Sequence, residues 1–97
     1  MKRISRLFKL KEGKEASWKE WCAYLMANPD LSKESMKTGN LYWEACYVYN
    51  NKFVLIEMGW LEERKPCTGD LTEKHLNKVK ECLEPLAFSE SLYQFEA

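Results

Sequence analysis

Leu41-Tyr42-Trp43-Glu44-Ala45-Cys46-Tyr47-Val48-Tyr49 runs through Asn50-Asn51 into Lys52-Phe53-Val54-Leu55-Ile56-Glu57-Met58-Gly59-Trp60, and this stretch decides the fold. Its first half is rich in Tyr, Trp and Val and has no proline or glycine, the composition of a pleated, half-buried strand. Asparagine tolerates the positive φ that a two-residue hairpin loop requires, so Asn50-Asn51 predicts a tight turn and 52–60 the returning strand. Side chains alternate between the two faces of a strand. In the second strand Val54, Ile56, Met58 and Trp60 form one wholly apolar set, yet the other set holds Phe53 and Leu55 beside Glu57. In the first, Leu41, Trp43, Ala45, Tyr47 and Tyr49 oppose Tyr42, Cys46 and Val48. Both faces of the hairpin therefore call for cover. A helical layer supplies it on one side only, so a partner surface is expected on the other, and a second copy of the chain is the simplest partner.

Outward from the hairpin, Ile4 to Lys11 nearly alternates apolar and polar residues and predicts a strand, turned by Glu12-Gly13-Lys14. Trp18, Trp21, Cys22, Leu25 and Met26 fall at i, i+3, i+4, i+7 and i+8 and lay one apolar stripe on a helix. Its start fits either a capping box at Ser17 and Glu20 or a position nearer Gly13. Asn28-Pro29 opens a second short helix to Lys37, closed by Gly39. After a polar loop over 61–70, Asp70 and Glu73 match a capping box, and Leu76, Val79, Leu83 and Leu86 continue at helical spacing. Pro85 limits that helix's last turn. Ser91 to Glu96 reads as a final strand. The order is βαββαβ across a single domain, 1–97. Two main helices on one face of a four-stranded antiparallel sheet make an α+β, ferredoxin-like fold.

Among the 97 residues, 15 Lys and Arg balance 15 Asp and Glu. The electrostatic footprint of a nucleic-acid binder is absent, and no apolar run approaches the ~20 residues of a membrane-spanning helix. No export signal is visible. Cys22, Cys46, Cys67 and Cys82 are unevenly spaced and accompanied by one histidine, His75, which argues for reduced thiols in a cytoplasmic protein rather than a disulfide framework or a zinc site. No motif demands a cofactor.

The element order, the opening Lys2-Arg3-Ile4 strand, Gly13-Lys14 leading into Trp18-x-x-Trp21, Asn28-Pro29-Asp30-Leu31 and the terminal Ser91-Leu92-Tyr93 together resemble the dimeric α/β-barrel group. The chain is similar to its short bacterial members, including rhamnose mutarotase-like proteins. The resemblance implies two sheets packed face to face, with a ligand cavity in each protomer. The first helix carries Cys22 where those mutarotases carry histidine.

Polar groups set in apolar strands are the informative positions, because burying them unpaired is costly. Arg6, Glu44, Glu57 and Gln94 qualify and are the candidate ligand-binding residues. Arg6 and Glu57, on adjacent strands, are expected to pair if they share a face. Glu44 and Glu57 would serve as acid and base only if they face the same way, which the hairpin register decides. His75 is expected at the edge of the core, Trp18 and Trp21 within it, and Cys67 as the most exposed thiol. Three functions follow: a homodimer with a small organic ligand in each protomer, a cofactor-free isomerase or monooxygenase-like enzyme using the same pocket, or a structural interaction domain.

Overall fold

The structure is a computed structural model that describes residues 2–97. Its elements are β1 (Lys2–Leu10), α1 (Glu15–Ala27), α2 (Pro29–Lys37), β2 (Leu41–Tyr49), β3 (Phe53–Trp60), α3 (Asp70–Cys82) and β4 (Leu83–Phe88). The strands form one antiparallel sheet in the order β2-β3-β1-β4. Asn50 and Asn51 take φ of 52° and 51° and turn β2 into β3, the left-handed geometry expected of that pair. Gly39 closes α2 in a buried position. A Cβ there would lie 2.5 Å from Cys67 Sγ and 2.6 Å from the Lys65 carbonyl, so glycine lets the loop after β3 pack against the end of α2.

One face of the sheet carries the core. Phe8, Leu10, Val54 and Ile56 meet Trp18 and Trp21 of α1, with Cys82 and Leu83 from the α3–β4 junction. Met26, expected on the same stripe, is 82% exposed and does not pack with it. At 3.6 residues per turn it points about 80° away from Trp18, beyond the face that reaches the sheet.

The C-terminal third departs from expectation. Helix α3 ends at Cys82, and the final strand is Leu83–Phe88 rather than 91–96, which lie outside helix and strand. Leu83 and Leu86 match a helical repeat, but Leu83 adopts extended backbone (φ −120°, ψ 137°) and pairs with Leu10. Pro85 is tolerated because β4 is an edge strand, bonded to β1 alone. The inward stripe of α3 includes Leu71, Val79 and Cys82, spaced with His75 at i, i+4, i+8 and i+11, whereas Leu76 is 54% exposed. That repeat puts His75 in the middle of the face that packs inward.

The other face is formed by cross-strand rows that include Trp43 with Gly59 and Arg3, Ala45 with Glu57 and Ser5, Tyr47 with Leu55 and Leu7, and Tyr49 with Phe53 and Lys9. No helix among the described residues covers it, and Trp43, Tyr47 and Tyr49 remain exposed.

Leu83→Ala is expected to lower unfolding free energy by about 2–5 kcal/mol, the range for deleting a buried leucine side chain. Leu92→Ala, in the exposed tail, should stay within about 0.5 kcal/mol. Urea denaturation of both variants distinguishes a final strand at 83–88 from one at 91–96.

Candidate functional site

Register sorts the candidate residues. Arg6 pairs with Ile56 and Glu44 with Met58, so both project to the helix side. Glu57 pairs with Ser5 and Ala45 and projects to the opposite side. The expected Arg6–Glu57 pair does not form, and Glu44 and Glu57 do not act as an acid and base in one site, because one sheet thickness separates them. Gln94 sits in the tail, beside Arg3, Ser5 and Glu57 at a shallow open groove.

Glu44 reaches the inner face through a β-bulge at Tyr42. Leu41 pairs with Trp60 and Trp43 with Gly59, so β2 carries one extra residue there and its facing reverses. Leu41 is thereby buried on the helix side, while Trp43 turns to the uncovered face. Gly59 accommodates the bulge, since a Cβ in its place would crowd the Tyr42 ring, Trp43 and the Arg3 stem at 3.3–3.4 Å.

On the inner face a cavity of ≈ 360 Å³ opens between the sheet, α2, α3 and the loop 64–67. Its floor is Ile56, Met58 and Trp60, and its roof includes Met36, Leu71 and Val79. Its volume falls within the range of small-molecule sites, roughly 300–1,000 Å³. A groove of ≈ 390 Å³ at the end of α2, edged by Lys33, Lys37 and Glu62, is more open.

The cavity's polar and charged lining is Arg6, Ser32, Ser35, Glu44, Arg64, Lys65, Thr72 and His75. The Ser35 and Thr72 hydroxyls bond each other across α2 and α3, and Ser32 bonds the Leu25 and Asn28 carbonyls, so these hydroxyls tie the helices together. The Arg6 guanidinium lies over the rings of Phe8 and Phe88, and Arg64 lies over Trp60. Both cations edge the cavity through such stacking.

Glu44 and His75 converge. His75 Nε2 lies 3.7 Å from Glu44 Oε1, and each side chain retains only about a quarter of its accessible surface (24% and 25%). From the other side, the Trp21 indole N–H donates to His75 Nδ1 at 2.9 Å. An indole nitrogen is only a donor, so Nδ1 must be unprotonated and the neutral ring carries its hydrogen on Nε2, facing Glu44. Burial pushes the His75 pKa below its ordinary value and the Glu44 pKa above its ordinary value. With His75 neutral, the contact is a polar approach to the carboxyl rather than an ion pair.

The order Trp21, His75, Glu44 thus joins α1, α3 and β2. Glu44 was legible as a polar residue in an apolar strand. His75 was expected as a core-edge residue, and the Leu71-x3-His75-x3-Val79 repeat is the signal that seats it in the inner face. Nothing in the linear sequence pairs Trp21 with His75, 54 residues apart.

Strand order, helix placement and the inner cavity define a ferredoxin-like α+β protein. No family model matches the sequence, and no curated protein matches it at a significant level. Two solved structures share the fold along essentially the whole chain. L-rhamnose mutarotase from Formosa agariphila matches with a TM-score of 0.64 at 15% identity, covering 99% of this chain and 100% of that one. Tetracenomycin F2 cyclase from Streptomyces glaucescens, a type-II polyketide cyclase, matches with a TM-score of 0.58 at 13% identity, covering 100% of this chain and 99% of that one. Both belong to the dimeric α/β-barrel, ferredoxin-like fold group, and the likeness establishes the fold. No helix among the described residues is long and apolar enough to cross a membrane.

The two shifts act on stability with opposite signs. His75 is lowered from 6.5, so the unfolded chain takes up a proton that the native state refuses, and stability falls as pH drops from 6.5 toward the lowered value. Glu44 is raised from 4.5, so the native state keeps a proton the unfolded chain has lost, and stability falls as pH rises from 4.5 through the raised value. His75→Gln should remove the first loss and Glu44→Gln the second, checked by urea denaturation between about pH 4 and pH 8. A variant keeping the wild-type slope in its window would show its group to be solvated.

Proposed function

We propose that the protein is a cofactor-free acid–base enzyme, an isomerase acting on a small hydroxylated carbonyl compound such as a reducing sugar, with one inner cavity in each protomer of a homodimer. The observation that carries this reading is Glu44 at the mouth of an apolar cavity, held 3.7 Å from a histidine whose tautomer is fixed. A carboxyl group whose pKa is raised toward neutrality is suited to take a proton and give it back. In an isomerisation Glu44 would accept a proton from one substrate atom as a carboxylate and return the same proton to another, leaving nothing to balance. The Nε2–H of His75 would orient the carboxylate and strengthen as a donor while charge sits on it. His75 does not itself deliver a proton, because losing Nε2–H with Nδ1 unprotonated would leave an imidazolate. Arg6 and Arg64 at the cavity edge favour an electron-rich ligand. A mutarotase and a cyclase on the same fold support reversible proton-transfer chemistry without fixing the substrate.

The homodimer rests on the uncovered sheet face. Leu7, Ala45, Tyr47, Tyr49, Phe53 and Leu55 form a continuous apolar surface there, which a second copy would bury by the same hydrophobic effect that packs the inner face. Glu57 and Gln94 belong to this outer side, so if they contact anything it is at the rim of that interface.

In NMR exchange measurements on L-rhamnose and other reducing monosaccharides, the wild-type protein is expected to speed anomer interconversion of at least one sugar. Glu44→Gln should reduce that rate by about 10²-fold or more, the scale of a lost general acid–base group, with little change in folding. No acceleration for any sugar, or full activity in Glu44→Gln, would contradict the reading. Sedimentation should give twice the chain mass, and Tyr47→Glu with Leu55→Glu should give a folded monomer. A wild-type monomer would remove the interface.

A further inference from the structure

Arg6 is a half-buried cation on the inner face of β1. Phe8 follows it on the same face, and Phe88 stands opposite it on β4, with the guanidinium carbon 5.2 Å and 4.7 Å from the two ring centroids. Contact through a ring face holds a guanidinium flat and leaves its in-plane N–H donors available at the edge. Those donors meet no acid. Among the described residues no carboxylate or carbonyl pairs with the Arg6 side chain, and Glu57, on the neighbouring strand, projects from the other side of the sheet.

The rest of the cavity points the same way. Its hydroxyls are already committed, Ser35 and Thr72 to each other and Ser32 to helix carbonyls. Neither asparagine nor glutamine is among its described lining residues, so the cavity offers little to distinguish one neutral hydroxyl from another. Three cations, Arg6, Arg64 and Lys65, stand against one carboxyl group, Glu44. None of the three makes an ion pair among the described residues, so the lining carries an excess of positive charge whichever form Glu44 takes.

We propose that the substrate of this cavity is an anion, a reducing sugar or similar hydroxylated carbonyl compound whose far end carries a carboxylate or phosphate held by Arg6. The inference rests on the isomerase reading of Glu44 and names the class of compound on which that residue acts. Register sets where the charge belongs. On the inner face Glu44 lies in the row of Met58 and Arg6 in the next row, that of Ile56, with β3 between their strands. Two strand spacings and one two-residue step put their Cα atoms about 12 Å apart. The charged group therefore lies several bonds from the carbon at which Glu44 exchanges a proton, as in a uronic acid or a terminal sugar phosphate, and not beside it as in a 2-oxo acid. Either anion can accept two parallel N–H bonds from the edge of the guanidinium. Arg64, 4.7 Å from the Trp60 ring, and Lys65 are both on an exposed loop, where they add to the field that draws an anion in rather than to the clamp.

Sugars that differ only at the far end test this: D-glucuronate and D-glucose 6-phosphate against D-glucose, and D-galacturonate against D-galactose. Binding is followed by ligand-observed NMR and anomer interconversion by exchange spectroscopy. The wild-type protein should bind at least one charged sugar about tenfold or more tightly than its neutral counterpart, the scale of a charge-assisted hydrogen bond. That preference should shrink as sodium chloride is raised from about 20 mM to about 500 mM. Arg6→Met, which keeps an apolar stem beside Phe8 and removes the fork, should bring the ratio close to one, with circular dichroism checking its fold. Lys33→Met, at the separate groove beside α2, should keep the wild-type ratio. Preference for a uronate, for the phosphate or for both supports the proposal and says which anion the fork takes. Charged and neutral sugars bound alike, a preference indifferent to salt, one that survives Arg6→Met, or no binding of any of these sugars would overturn it. Preferential binding of a charged sugar whose anomer exchange is not accelerated would contradict the isomerase reading alone, and faster exchange of neutral sugars without any charge preference would contradict the anionic substrate alone.

Discussion

The pairing of β2 with β3, including the extra residue at Tyr42, is the constraint on which the rest of the structure depends. A strand's two sets of side chains exchange faces whenever its register changes by one residue. The bulge performs that exchange once, near the start of β2. Before it, Leu41 fills the inner core; after it, Glu44, Cys46 and Val48 face inward, and Trp43, Ala45, Tyr47 and Tyr49 face outward. Without it the carboxyl group and the aromatic row could not occupy their observed sides together with Leu41. Gly59 is the complementary half of the device, since the bulged segment and the Arg3 stem occupy the space a side chain would need.

From that sidedness the electrostatics follow. A carboxyl group facing an apolar sheet and two helices loses water and moves toward its neutral form, as does an imidazole in the same place. Burial alone therefore draws the two pKa values toward one another, and the Trp21 indole settles which nitrogen of His75 carries the hydrogen. The donor comes from α1, the imidazole from α3 and the carboxyl from β2, so the geometry exists only once the helices have packed on the sheet. Packing of Trp18 and Trp21 is in this sense as much a part of the site as Glu44. Opposite it, the outer face collects the remaining aromatic side chains of β2, and its apolar rows give the sheet a second surface suited to burial.

Much of this could be read along the chain, and the residues show why the rest could not. The Asn50-Asn51 turn, the hairpin, the Pro29–Lys37 helix and the α+β class rest on local chemistry that tertiary contacts reinforce. Glu44 stood out because a charge in an apolar strand needs a reason. The α3–β4 boundary was not legible, because Leu83 and Leu86 extend a helical repeat that the chain abandons to pair with β1. Nor was the Tyr42 bulge, as simple alternation groups Leu41 with Trp43 when they face opposite ways. Arg6 and Glu57 looked like partners because adjacency of strands can be guessed while relative register cannot. His75 was placed near the core by spacing, but its tie to Trp21 depends on how α3 lies against α1.

The claim at the centre is that the β2 register seats the Glu44 carboxyl in a poorly hydrated cavity beside neutral His75. Carbon-13 NMR of the glutamate side-chain carboxyls, with Glu44 assigned by its loss in Glu44→Gln, measures this directly. The account predicts that the Glu44 signal titrates above the ordinary 4.5 while the His75 ring titrates below 6.5. A Glu44 carboxyl titrating at or below 4.5 would place it in water and contradict the site.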